Sequence, residues 1–327
     1  AAQPEQYAFH SFADRVQFDR VDDQLGLSCS LEIDPALDVL LCRCTLTNHG
    51  KAPREIEVAS YLEIVLQQPG AFAAHPAFSK LFVKTAWLPD EQAIHFQRRP
   101  RDADDVFPQL LHFLLTDHPQ EGTIGFETSR AHFIGRGGSR RCPAALNGPG
   151  ATKGHSGTVL EPIASLRFQT NLAPGQSRTL LLGTLVAMQP ELLAVREQIE
   201  RTWRRPSGLL DPVVTVGPVA PHPATPAAAF VRATADVESS PSAEREPLQF
   251  DNGHGGFSEE GDEYRIQLRP DENGTLQLPP APWVNTIANP QAVCIVSERG
   301  SCCTWVENSR QHRLTPWFND PVTDPFG

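Results

Sequence analysis

Apolar and polar side chains alternate with a period of two through most of residues 7–186, and repeated turn signals cut the pattern into short pieces. That period puts successive side chains on opposite faces, so the chain is held to strands over more than half its length. LSCSLEI (27–33) alternates, as does DVLLCRCTLTNHG (38–50), which closes on the turn residues Asn48, His49 and Gly50. EIEVASYLEIVLQ (55–67) reads as one long strand or a pair. FSKLFVKTAWLP, AIHFQRR, LLHFLLTDH, TIGFETSRAHFIG, ASLRFQTNL and RTLLLGTLVAM continue the series. Between the last two, Pro174-Gly175 suits a type II turn, because glycine accepts the positive φ that the turn needs. Many short strands with Pro and Gly punctuation predict an all-β sandwich of antiparallel strands and not βαβ units.

One flanking helix is predicted near 190–205. Pro190 suits a first helical turn and Glu191 complements the positive helix end. Leu192, Val195, Ile199 and Trp203 then recur at three- and four-residue steps, giving one apolar face. Arg201, Arg204 and Arg205 sit near the carbonyl end, where cations offset the helix dipole, and Pro206 stops the helix. Residues 206–245 are rich in Pro, Ala and Ser without periodicity, which is linker composition. Strand signals return in 246–327. A segment of that size without disulfides or metal is marginal alone and needs a partner surface.

The 327 residues suffice for one large or two medium domains, with 40% hydrophobic and 20% charged residues. A formal net charge of −11 argues against a nucleic-acid partner, because phosphate binding needs a basic surface. No apolar run approaches the ~20 residues that cross a bilayer. The opening AAQPEQYAFHSF lacks the pattern of a signal peptide.

Seven cysteines at 29, 42, 44, 142, 294, 302 and 303 show no paired spacing, so buried reduced thiols and a cytoplasmic setting are expected. Cys42 and Cys44 would share one face of a strand. A zinc site there needs two further ligands, and no CxxC or HxxxH supplies them, so no metal or other cofactor is expected.

Glycine-rich DNGHGGF (251–257) lacks the Gly-Lys-Ser/Thr ending of a phosphate loop and reads as a turn. FIGRGG (133–138) likewise lacks the following helix of a dinucleotide fingerprint. The histidines are scattered, with no triad visible from spacing. Asp102, Asp104 and Asp105 read as a solvated loop, and Glu259 to Glu263 as an exposed turn. Asp320 and Asp324 alternate with prolines near the end, and none of these carboxylates has the apolar surroundings that would raise its pKa for acid catalysis, so none is assigned as catalytic. Aromatic rings beside planar polar groups offer flat apolar faces and hydroxyl partners to sugars. Trp283-Val284-Asn285, Trp305 with Asn308, and Trp317 with Asn319 and Asp320 have that composition, although tryptophan in a sandwich is more often core.

QFDNGHGGFSEEGDEYRIQLRP, APWVNTIANP and SERGSCCTWVENSRQHRLTPWFNDPVTDPFG, in that order, resemble the opening of the β-sandwich module of cyclic β-1,2-glucan synthases. Glycoside phosphorylases of the cellobiose and chitobiose phosphorylase family (glycoside hydrolase family 94) share that module. TLTNHGKAPREIEVASYLEIVL (45–66), AHPAFSKLFVKT (74–85), FETSRAHFIGRGG (126–138) and LEPIASLRF (160–168) are similar to its later portion. The resemblance implies a β-supersandwich, the back half of one module (1–205) followed by the front half of the next (246–327). It implies a supporting role in glucan binding or in assembly of a phosphorylase domain, with a stand-alone β-glucan-binding module as the alternative. Trp305, Asn308, Arg310, Arg313, Trp317, Asn319 and Asp320 are the candidate carbohydrate contacts.

The family's catalytic residues belong to an (α/α)6 barrel whose pattern is absent up to Gly327, so none is carried over. The partners implied are a β-glucan oligosaccharide and the helical-barrel domain of a parent synthase associated with the inner membrane. The family's phosphorylases are often dimers, so the resemblance admits a homodimer. The two halves are expected to dock as one circularly permuted sandwich, each covering the other's apolar face. Truncation after residue 205 should therefore lower and broaden the thermal melt. An unchanged, cooperative melt of 1–205 opposes the composite.

Overall fold

The computed structural model describes residues 5–12, 15–34, 37, 39–100, 102, 104–119, 121–140, 142–146, 154–188, 191–203, 247–271, 276–298, 302–309, 311–315, 320 and 322. The chain divides into two compact units, Ala1–Val219 and Ala220–Gly327. The Pro/Ala/Ser-rich stretch 206–245 lies outside the described residues, as do Pro190, Arg204 and Arg205.

The first unit opens with an antiparallel meander, β1 (Gln6–Ser11), β2 (Arg15–Asp22), β3 (Leu25–Asp34) and β4 (Val39–Asn48). There follow β5 (Arg54–Ala59), β6 (Leu62–Glu63), and two short helices, α1 (Pro69–Ala74) and α2 (Pro76–Lys80). The chain then runs through β7 (Val83–Leu88), β8 (Ala93–Arg98), β9 (Gln109–Thr116) and β10 (Thr123–Ser129). It ends with α3 (Arg130–Ile134), β11 (Gly157–Thr158), β12 (Pro162–Leu172), β13 (Ser177–Ala187) and α4 (Leu192–Trp203).

A nine-stranded sheet in the order β1-β2-β3-β4-β13-β9-β8-β7-β11 stacks on a smaller sheet, β10-β12-β5, to which β6 adds through β12. Every pairing is antiparallel, as the alternation predicts. EIEVASYLEIVLQ is the pair β5 and β6, split at Ser60. Two strand expectations are corrected. Phe78–Lys80 belong to α2 and Arg130–Ile134 to α3, helices that the period-two reading absorbed into their neighbouring strands. Pro69 and Pro76 each stand at a helix start, where a fixed φ and a missing N–H cost nothing.

The turn chemistry holds. Asn48 is buried, and its side-chain amide donates to the carbonyls of Ala52 and Leu172 while its Oδ1 accepts the Gly50 N–H. Gly175 has φ +73°, and Gln176 N–H closes its turn on Ala173. FIGRGG ends α3 instead of starting a helix, with Gly135 at φ +80°.

Burial on both faces of the large sheet decides its central strands. Leu110 and Leu114 of β9 face the smaller sheet, packing with Phe96, Leu166, Phe168 and Leu180. Leu111, Phe113 and Leu115 face the other way, against Leu192 and Ile199 of α4. The expected flanking helix therefore covers the back of the sheet through its apolar stripe. Arg201 pairs with Glu197 one turn away, while the buried Arg196 pairs with Glu200.

A cross-strand link corrects the expectation of reduced thiols for one pair, while Cys42, Cys142, Cys294 and Cys303 are in no disulfide. Cys29 on β3 stands directly opposite Cys44 on β4, and the two form a disulfide. Spacing along the chain hides this pair, because strand register sets it. Among the described residues no helix is long and apolar enough to cross a membrane.

Between the sheets His112 is buried, its Nε2 2.9 Å from Ser60 Oγ and its Nδ1 3.0 Å from Thr184 Oγ. Loss of solvent lowers its pKa from 6.5 to about 4. The unfolded chain thus binds this proton more readily. Stability from His112 is complete above pH 6.5 and is lost as pH falls towards 4, by about 3 kcal/mol. Urea titrations across this window should show that loss in the wild type. The slope should flatten in His112→Gln, and an identical slope in both proteins counts against the assignment.

Candidate functional site

The smaller sheet ends at β5, whose only strand partner among the described residues is β12. Beyond that edge the inward face of β2–β4 continues without a covering layer among the described residues, lining a cleft of about 610 Å3. Leu25, Leu27, Leu31, Leu40, Val58 and Leu62 make its walls mostly apolar. Its polar groups are engaged with one another or with neighbours. Arg20 pairs with Asp22, Glu57 with Arg167, and Tyr61 O–H donates to Glu63 at 2.9 Å. Burial, then that bond to Glu63, pushes the Tyr61 phenol up to about 12. Cys42 enters the same wall, and burial pushes its thiol up.

A second cluster sits where β10 runs into α3. Glu127 is fully buried, and its Oε1 accepts the backbone N–H groups of Thr128 (2.9 Å) and Ser129 (2.8 Å). Its Oε2 lies 2.8 Å from His155 Nδ1, and the His155 ring stacks on His132 with centroids 3.7 Å apart. Glu127 and His155 are 28 residues apart, so no spacing rule reveals them. The fold brings together what the sequence reading left as scattered histidines. The carboxylate's first work here is structural, since it satisfies two backbone donors at the end of β10.

In the second unit DNGHGGF is the predicted turn. Asp251 Oδ1 accepts the Gly253 N–H, and Asn252 Oδ1 accepts those of His254 and Gly255. It leads into β14 (Gly255–Phe257), which pairs with β15 (Tyr264–Ile266). A Cβ on Gly255 would lie 2.4 Å from the Arg265 carbonyl oxygen, so only glycine permits this approach. Two further short strands, β16 (Arg269–Pro270) and β17 (Leu276–Gln277), form a separate pair. A three-stranded meander follows, β18 (Val284–Ala288), β19 (Ala292–Ser297) and β20 (Cys302–Val306).

The close hairpin gathers aromatic rings. Phe257 and Tyr264 stand opposite each other and meet edge-on at 5.0 Å. Trp283 packs against Tyr264 at 5.9 Å and His254 at 6.0 Å, and Asn252 Nδ2 donates to the Tyr264 hydroxyl at 3.2 Å. Phe257 and Tyr264 are exposed, 41% and 43%. Of this group the sequence reading singled out Trp283 alone. The signal for the others was the same stretch DNGHGGF…DEY, once its glycines are understood to bring two strands face to face.

The carbohydrate contacts expected from sequence fall near the next turn. Trp305 on β20 bridges to Arg313, and Asn308 Oδ1 accepts the Gln311 N–H at 3.1 Å. Arg313 Nε donates to the Ser309 carbonyl at 3.0 Å, so Trp305, Asn308 and Arg313 share one hairpin end. Asp320 Oδ1 accepts the Val322 N–H at 2.9 Å. Arg310, Trp317 and Asn319 lie outside the described residues.

Stacked antiparallel sheets with a helix on the back define a β-sandwich of the large, supersandwich class. The glycosyl hydrolase 94 supersandwich domain matches residues 1–202 and 262–327, and this chain belongs to that family. It is 41% identical over 165 residues to the cyclic β-(1,2)-glucan synthase NdvB of Rhizobium meliloti (strain 1021). That match spans 50% of this chain and 6% of NdvB. Among solved structures, the polysaccharide lyase BACCELL_00875 is similar at a TM-score of 0.32 and 17% identity, over 54% of this chain and 22% of that one. The heparan sulfate lyase HepC from Pedobacter heparinus gives 0.29 and 8%, over 56% and 22%. Likeness at these scores carries no argument about function.

Glu127→Ala should destabilise the chain by about 3 kcal/mol in urea unfolding, because it strands two buried N–H donors. His155→Ala removes only a partly exposed partner and should cost under about 1 kcal/mol. Equal costs for the two would contradict the structural role given to the carboxylate.

Proposed function

We propose that this chain is a non-catalytic supersandwich portion of a cyclic β-1,2-glucan synthase-like protein and that its second unit offers a surface for β-glucan. The observation that carries this reading is the partly exposed group Phe257, Tyr264, Trp283 and His254, with Asn252 fixed beside it. Pyranose C–H faces pack on such rings, while amide and hydroxyl groups at the margin take the sugar hydroxyls. Identity to NdvB supports glucan as the ligand class. In the cleft of the first unit the carboxylates Asp22 and Glu57 are each held by an arginine, which supports a role other than acid catalysis.

A second reading rests on a different observation. The apolar cleft and the open β5 edge suit the packing of another protein surface, which favours assembly of a phosphorylase domain over sugar binding. A stand-alone β-glucan-binding module is the third.

Calorimetric titration of the full chain with linear and cyclic β-1,2-glucans separates glucan binding from the assembly role. Binding that weakens about tenfold in Trp283→Ala and Tyr264→Ala, a loss of ~1.4 kcal/mol, supports the aromatic surface. Loss in Trp305→Ala alone would move the contact to the β20 hairpin end. Absence of binding in every form leaves the assembly role. Phosphate uptake or release with β-glucan would overturn the non-catalytic reading.

A further inference from the structure

Three sulfurs converge on the inner wall of the first unit's cleft. The β3–β4 register places Cys29 directly opposite Cys44, and Cys42 lies two residues along β4 on the same face. Cys42 Sγ is 3.5 Å from Cys29 Sγ and 3.6 Å from Cys44 Sγ. A search of spacing alone finds two of these ligands and misses the third, because Cys29 arrives from the neighbouring strand.

Those separations are close to what a thiophilic metal requires. Metal–sulfur bonds of about 2.3 Å at tetrahedral angles put neighbouring sulfurs about 3.8 Å apart. The two Cys42 gaps fall within a few tenths of an ångström of that edge. The backbone that carries them is fixed, since β4 is hydrogen-bonded to β3 on one side and to β13 on the other. Ligands on such a ladder are preorganised. The cleft gives an ion a route from solvent, and its leucine walls keep competing ligands few.

We propose that the reduced chain binds one thiophilic d10 cation, with Zn2+ as the working ion, through Cys29, Cys42 and Cys44. The Cys29–Cys44 disulfide is then the oxidised, metal-free form of the same site. A dithiol reductant supplies two electrons and two protons to the sulfur–sulfur bond, and itself becomes a disulfide. Metal binding next replaces three S–H bonds by three S–metal bonds and releases three protons to water. A fourth position stays open to a water molecule in the cleft, because no fourth His, Cys, Asp or Glu joins the group among the described residues. Soft thiolates select Zn2+ or Cu+ over Mg2+ and Ca2+. Three deprotonations make binding weaken steeply as pH falls.

The test is a titration of the full chain, reduced and freed of reductant under anaerobic conditions, with Co2+ as the spectroscopic probe. One equivalent should raise a sulfur-to-cobalt charge-transfer band, and Zn2+ should abolish it. Cys42→Ser should weaken binding at least tenfold, whereas Cys142→Ser, at an exposed site, should leave it unchanged. Alkylation mapped by peptide mass spectrometry gives a readout on the wild type alone. Zn2+ should protect Cys29, Cys42 and Cys44 and leave Cys142 reactive. No charge-transfer band in the reduced wild type, full binding by Cys42→Ser, or absence of protection at the three cysteines would each overturn the proposal.

Discussion

A strand covered on both faces has no side left to show to water, and β9 is such a strand. Its even-numbered side chains from Leu110 to Leu114 meet the smaller sheet, and its odd-numbered ones from Leu111 to Leu115 meet α4. Each layer therefore needs the other two. The partner strand β13 makes room for this arrangement at Gly183, which stands opposite Phe113 in the ladder. A Cβ there would lie 2.1 Å from the Phe113 ring, so the bare backbone is what gives the ring its place. Arg178, at the start of β13, is fully buried and reaches Asp117 and Glu121. Its hydrogen bond holds the Glu121 carboxyl below the usual range. Charge pairing thus finishes the end of the same strand that apolar packing fixes in the middle.

Much of this was legible before any coordinates. Period-two runs located the strands because one covered face and one wetter face impose that period. The 3.6-residue stripe of Leu192, Val195 and Ile199 located α4 for the corresponding reason. LLHFLLT was read as one more member of that series, although both of its faces are covered and its apolar residues fall on both. The reading failed at Phe78–Lys80 and Arg130–Ile134, where helices of five residues are too short to show a period of their own.

Sites were less legible than elements, for a reason that is the same in each case. Cys29 and Cys44, Glu127 and His155, and Phe257 and Tyr264 are all joined across the fold or across a hairpin, at separations of 15, 28 and 7 residues (264 − 257). Register decides such meetings, and register depends on turns and bulges that composition specifies only in part. The glycine-rich hairpin is the intermediate case. Glu259 to Glu263 reads as an exposed turn between strands, and with that turn placed Phe257 and Tyr264 fall opposite each other.

The open margin of the smaller sheet has a consequence for how the molecule behaves in a crowd. An unpaired strand edge is a template on which any extended chain could continue the sheet. Here the edge strand reads REIEVA, and two of its three charges are paired, Arg54 to Asp23 and Glu57 to Arg167. A stray strand would have to lie down among these ion pairs and strip water from them without offering anything in return. The edge thus discriminates by the cost of desolvation. Such a guard is built from side chains and leaves the backbone of the strand itself unaltered.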